Sequence, residues 1–243
     1  LTVTSFNTLP VARIISPGAR LYRGGDVIPF SGDATDSEDG VLPASSFTWL
    51  VDFHHDSHHH PGPSAPSGVK SGSFTVPTRG ETSDNVWYRL ILIVSDSQGG
   101  KDTVYRDILP YKTTISLATQ PPGLKVTLDG QPIVTPASIV GVEKIERTIR
   151  SVSPQIINGK TFTFQKWLHG GAETQNILTP VNDATYTAVY KESQNNSLIQ
   201  REVWAGIAGA SVAAIPLNTP PTSVHDLTIF EAPANVGNDY GSR

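Results

Sequence analysis

The hydrophobic pattern of this chain has a period of two. Phe47, Trp49, Val51 and Phe53 alternate with Thr48, Leu50 and Asp52, so the segment has one strongly apolar face. Residues 86–95 (VWYRLILIVS) form the most strand-like run. Shorter strands are expected at 11–16, 27–30, 73–77 and 102–109, with Pro29 marking an edge position or a bulge. Turn signals separate them at 18–25, in the acidic stretch 33–40 and in the DSQGG of residues 96–100. Six or seven strands in about 100 residues, punctuated in this way, read as a β-sandwich. A second series follows at 115–118, 125–128, 161–167 and 183–191, with hairpin signals at Asp129-Gly130 and Asn158-Gly159. Phe164, Trp167, Tyr186 and Tyr190 read as one core within it.

Composition agrees with an all-β chain. Gly 21 and Pro 19, with many Ser and Thr residues, disfavour helix. With no cysteine there is no disulfide, thiolate zinc site or cysteine nucleophile. A net charge of -4 gives no basic field for nucleic acid or an anionic membrane. No apolar run approaches the roughly 20 residues of a helical span, so membrane insertion is not expected, and no stretch reads as a signal peptide. The chain starts at Leu1 without an initiator methionine, and we expect a processed or excised piece of a longer protein.

Three resemblances extend this reading. FSGDATDSEDG (30–40), FTW (47–49) and VWYRLILIVSDSQGG (86–100) together resemble a PKD-type, immunoglobulin-like domain over residues 10–111. Such domains pair a core tryptophan on a central strand with a penultimate strand ending in V-x-D-x-x-G, and Trp49 and the Val94 to Ser97 segment match that layout. FHHDSHHHP (53–61) replaces the usual W-D-F-G-D-G ending; it is similar to a variant of large secreted bacterial proteins, often beside sugar-dehydrogenase-type domains. Residues 114–136 and 147–191 resemble small all-β repeats of the PEGA and internalin B-repeat types. REVWAGIAG (201–209) and FEAPANVGNDYGSR (230–243) resemble the opening of a protective-antigen-type carbohydrate-associated domain. The expected organisation is a linker at 1–10, an immunoglobulin-like sandwich at 11–111, a smaller β-sandwich at 112–192 and an extended segment at 193–243 that begins a further domain.

Candidate chemistry lies in three places. Five of the 7 histidines fall between His54 and His60, read as a loop ahead of Pro61-Gly62-Pro63. His54, His55, His58 and His60 would serve a transition metal, with Asp52 or Asp56 adding a carboxylate; the plain alternative is a solvated corner. Asp33, Asp36, Glu38 and Asp39, with Asp96 or Asp84 from a neighbouring loop, would offer calcium its about six to eight oxygens and rigidify an interdomain edge. The plain alternative there is a set of Asx turns. Trp87, Tyr88 and Tyr105 alternate with core residues, and Trp87 and Tyr88 would stack a glycan ring unless they cover a sheet edge. No G-x-S-x-G, P-loop or dinucleotide fingerprint is present, so no enzyme activity is expected.

The expected role is a non-catalytic accessory or spacer region of a large secreted or cell-surface bacterial protein. Its partners would be neighbouring domains of the parent, with polysaccharide or surface protein at loops and edges. The alternatives are a carbohydrate-binding module in its own right, or an accessory part of a sugar-oxidising enzyme whose catalytic domain lies outside this chain; the last follows from the resemblance alone.

Overall fold

The computed structural model describes residues 6–193, 199–208, 211–227 and 240–242. It is nearly all β. Among the described residues no helix is long and apolar enough to cross a membrane.

The first nine strands are β1 (Val11–Ser16), β2 (Leu21–Tyr22), β3 (Val27–Asp36), β4 (Gly40–Val41), β5 (Phe47–His55), β6 (His58–Pro61), β7 (Ser71–Thr75), β8 (Val86–Ser95) and β9 (Lys101–Pro110). One sheet has β3 at its centre, with β1, β4 and β7 paired to it; the other runs β2-β9-β8-β5-β6. β3 continues well past Phe30 even though Pro29 lacks an N–H. The Pro29 carbonyl faces β1, where it accepts a bond from Ser16 Oγ, and β1 pairs only with residues from Ser31 onward. The missing donor therefore falls where the ladder has already ended.

The two sheets close on Trp49, Phe30, Phe47, Leu90 and Leu92, each at most 2% exposed. Trp49 Nε1 donates to the Val69 carbonyl at 2.9 Å, which satisfies its buried donor. Gly32 makes room for this ring, since a Cβ there would lie 3.0 Å from the Trp49 side chain and 2.8 Å from Leu92.

The second sandwich follows after one residue, Tyr111. Its strands are β10 (Lys112–Gln120), β11 (Lys125–Leu128), β12 (Gln131–Val134), β13 (Ala137–Val142), β14 (Glu146–Ser151), β15 (Gln155–Ile157), β16 (Lys160–Trp167), β17 (Thr174–Leu178) and β18 (Ala184–Ser193). They form sheets of order β13-β10-β18-β16-β15 and β12-β11-β14-β17. Asp129 and Gly130 both have positive φ, 51° and 81°, as a two-residue hairpin with matching twist requires. Trp167 and Tyr190 are buried with Ile115, Leu117, Val126 and Ile149, and Phe164 and Tyr186 pack against them from the rim.

The two sandwiches share one compact unit. Val142, the last residue of β13, and Ile145, just before β14, are buried in the core of the first sandwich. Around them, Gly24 N–H donates to the Glu143 carbonyl at 2.9 Å, Glu146 N–H to Thr78 at 2.7 Å and Tyr111 N–H to Tyr22 at 2.8 Å. Glu143, 5% exposed, pairs with Arg23 at 2.5 Å, and the same guanidinium lies 3.8 Å over the Tyr111 ring.

The residues from Glu192 on, together with Asn158–Thr161, make up a second unit. Where an extended segment was expected, β19 (Ile199–Ala205) pairs with β20 (Ser223–Leu227) and β21 (Tyr240–Ser242) in a three-stranded sheet. Val203 and Trp204 are its buried residues. Most of the FEAPANVGNDYGSR stretch, and residues 194–198 of the polar linker, lie outside the described residues.

Candidate functional site

The histidines do not form a loop. β5 runs on through His55, reverses at Asp56-Ser57 with Asp56 in the left-handed region (φ 49°), and returns as β6. The register pairs Phe53 with His60, His54 with His59 and His55 with His58. Strand alternation then divides the imidazoles between two faces, which corrects the expectation of one four-histidine site.

On the outer face, His54 stacks between His59 (4.9 Å, 20°) and Trp87 (4.8 Å, 16°). Burial holds the His54 pKa below the usual imidazole value. His54 Nε2 and Trp87 Nε1 are both buried without a hydrogen-bond partner among the described residues. On the inner face, the His55 and His58 rings lie 3.8 Å apart and those of His55 and His60 5.4 Å, with Phe53 stacked on His55. The nearest carboxylates, on Asp56 and Glu81, are each 4.0 Å from His55 Nδ1. Asp52 faces His59 on the other side, also at 4.0 Å.

The acidic residues lie at the opposite end of β8, away from the joint with the second sandwich. They are turn caps. Asp36 Oδ1 accepts from Glu38 N–H and Asp39 N–H at 2.8 and 2.9 Å, and Asp39 accepts from Ser97 N–H and Oγ, both at 2.8 Å. Asp96 accepts from the Asn7 amide and from the N–H groups of Gln98 and Gly100, which hold its carboxyl below the usual range. Thr8 lowers Glu38 in the same way, and Lys70, 3.3 Å away, lowers Asp33. Asp84 is elsewhere, at the histidine end, facing Lys112 at 3.4 Å. Among the described residues no three His, Cys, Asp or Glu side chains form a group able to hold a metal ion. Of the carboxylates expected to meet around calcium, Asp36, Asp39 and Asp96 point instead at backbone amides, because the short loops leave those N–H groups without strand partners. Asp36 Oδ2 is buried with no partner among the described residues.

The two aromatics expected to bind a glycan face opposite ways, as neighbours on a strand must. Trp87 is outward and half-buried, with one face covered by His54. Tyr88 is 6% exposed and packs edge-on to Tyr22 in the core, so it is no part of an outer platform. Burial pushes its hydroxyl pKa up to about 12. Tyr105 is exposed, and Arg89, bonded to Asp107 at 2.7 and 2.8 Å, lies 4.0 Å over its ring.

A feature missed from sequence lies at the histidine end. A cavity of about 280 Å³ opens between the β5–β6 hairpin, the 77–81 turn and Val142 and Ile145. Its walls include Tyr22, Phe53 and Tyr88, with His60, Arg79 and Glu81 among the polar groups lining it. It forms from residues more than 100 positions apart, so no local signal announces it. Comparison with family models, curated proteins and solved structures found no match to this chain.

Proposed function

We propose that the two sandwiches are a non-catalytic spacer in a secreted or cell-surface bacterial protein, holding neighbouring domains apart at a fixed spacing. The path of the chain is the observation that carries this reading. In the first sandwich β1 and β9 start side by side, with Ala12 N–H bonded to Asp102 at 2.8 Å, and β2 and β9 end side by side in parallel. In the second, the first strand β10 and the last strand β18 are parallel neighbours. The chain thus enters each sandwich at one end and leaves at the other, roughly 30 Å further along a nine- or ten-residue strand. Short hairpin folds return their ends to one side; a spacer needs them apart. The joint at Tyr111, with Glu143 and Val142 locked into the first sandwich, supports transmission of that spacing. The resemblance of residues 10–111 to PKD-type domains of large secreted proteins favours the same role and location.

The test pairs spectroscopic labels at Thr8 and Lys191 and measures their distance distribution, alongside retention on insoluble polysaccharides. A single narrow distribution and no retention are expected. A broad distribution, or retention that Trp87→Ala abolishes, would overturn the spacer reading, the latter in favour of a glycan-binding module.

A further inference from the structure

The cavity at the histidine end has a charge pattern of its own. Phe53, Val86 and Ile145 give it an apolar wall, and Tyr22 and Tyr88 add aromatic rings with their hydroxyls. Of the two full charges lining it, Arg79 is already neutralised, donating to Glu146 at 3.0 and 3.1 Å. Glu81 is not. Its Oε1 accepts from Thr82 N–H and Ser83 N–H, each at 2.8 Å, which fixes the side chain and keeps the carboxyl ionised. Its Oε2 lies 4.0 Å from His55 Nδ1, beyond hydrogen-bond reach, and the His58 imidazole also acts on the carboxylate. His60 completes the set. Its Nδ1 lies 3.2 Å from the Pro61 carbonyl, which can only accept, so Nδ1 carries the proton. The lone pair of the neutral ring is then on Nε2.

The one charge of this cavity that is not neutralised is therefore anionic, and it sits beside aromatic walls whose π-faces are electronegative. The complement is a cationic donor on an apolar stem: the charge and its N–H groups meet the Glu81 carboxylate, and the methylenes lie against Phe53 and Val86. The volume, at the small end of ligand sites, suits one side chain or one small amine and excludes an oligosaccharide. We propose that this cavity binds an alkylammonium or guanidinium group on an apolar stem. A lysine or arginine side chain of a partner polypeptide and a free aliphatic amine share that chemistry. The cavity lies on the first sandwich at its joint, so a bound cation would add a contact point to the spacer without altering its span.

The whole chain near neutral pH is titrated with n-butylammonium and with Nα-acetyl-lysine N-methylamide, followed by NMR shifts of Phe53, Val86 and Tyr88. Butyrate and methyl glucoside serve as controls. Saturable binding of at least one amine is expected, weakened at least tenfold by Glu81→Gln, which retains the Oε1 acceptor. Phe53→Leu should weaken it too, and provides the test should Glu81→Gln fail to fold. Tighter binding of the lysine derivative assigns a polypeptide source, and tighter binding of butylammonium a free amine. Absence of binding by either amine, equal binding of butyrate or methyl glucoside, or an unchanged affinity in both variants overturns the proposal. None of these results depends on the spacing measured by the labels, so the two readings fail separately.

Discussion

Asp36 and Asp96 illustrate how much one carboxylate does at a strand end. Asp36, itself buried, accepts two backbone N–H groups of the exposed turn that follows it, so Asp36→Ala should cost about 1–3 kcal/mol in urea denaturation through the loss of these two bonds. Asp96 has a depressed pKa in the folded state. Its contribution is thus present above its unfolded value of about 4 and is lost as pH falls through the lower folded value. Acid unfolding monitored by tryptophan fluorescence should shift to higher pH in Asp96→Asn. The residue types were legible in the sequence as turn formers or cation ligands. Which of the two depended on what each oxygen faces, and that is set by Asn7, Ser97 and Gly100 meeting across a long separation. Tyr88 is a similar case. Alternation states that Trp87 and Tyr88 face opposite ways, and only the packing of β5 on β8 decides which one is inside.

At the scale of elements, period-two patterning placed β5, β8, β11 and both Asp-Gly and Asn-Gly hairpins closely, because those segments bury one face and solvate the other. It stopped short at the histidines. Imidazole is neither clearly apolar nor clearly polar, and Asp56-Ser57 carries no strong hairpin signal, so the continuation of β5 and the start of β6 were not visible. The pairing has a measurable result. His54 has a folded pKa below its unfolded value of about 6.5, because protonation would place a cation in the half-buried stack with Trp87, near Arg89 and His59, against the weaker pull of Asp107 and Asp52. No penalty exists above about pH 6.5; it grows as pH falls from there to the folded value. Thermal melts at pH 8 and pH 5 should therefore differ more for the native chain than for His54→Phe, which keeps the stack and removes the proton. In the second sandwich, Trp167 is 1% exposed, and Trp167→Ala should cost about 3–5 kcal/mol by calorimetry.

At the scale of the molecule, two sandwiches were readable from turn spacing, and their coupling was not. Val142 and Ile145 look like ordinary residues of a second domain, yet they complete the first core, a contact no local pattern encodes. Gly24 makes the coupling possible: a Cβ there would lie 2.5 Å from the Lys144 carbonyl. Gly24→Val should push the 142–145 segment out, and differential scanning calorimetry should then resolve two transitions where the native unit gives one. Glu143→Ala should act in the same direction more weakly, since Arg23 remains partly exposed to water.

The parallel pairing of β10 with β18 has a mechanical meaning. A pull applied along the chain draws the start of β10 one way and the end of β18 the other. Six registered pairs from Ile115–Ala184 to Gln120–Val189 then slide against one another in shear, so their hydrogen bonds must yield together and not one by one as in a peeled hairpin. A sandwich with this strand order resists tension between its two ends.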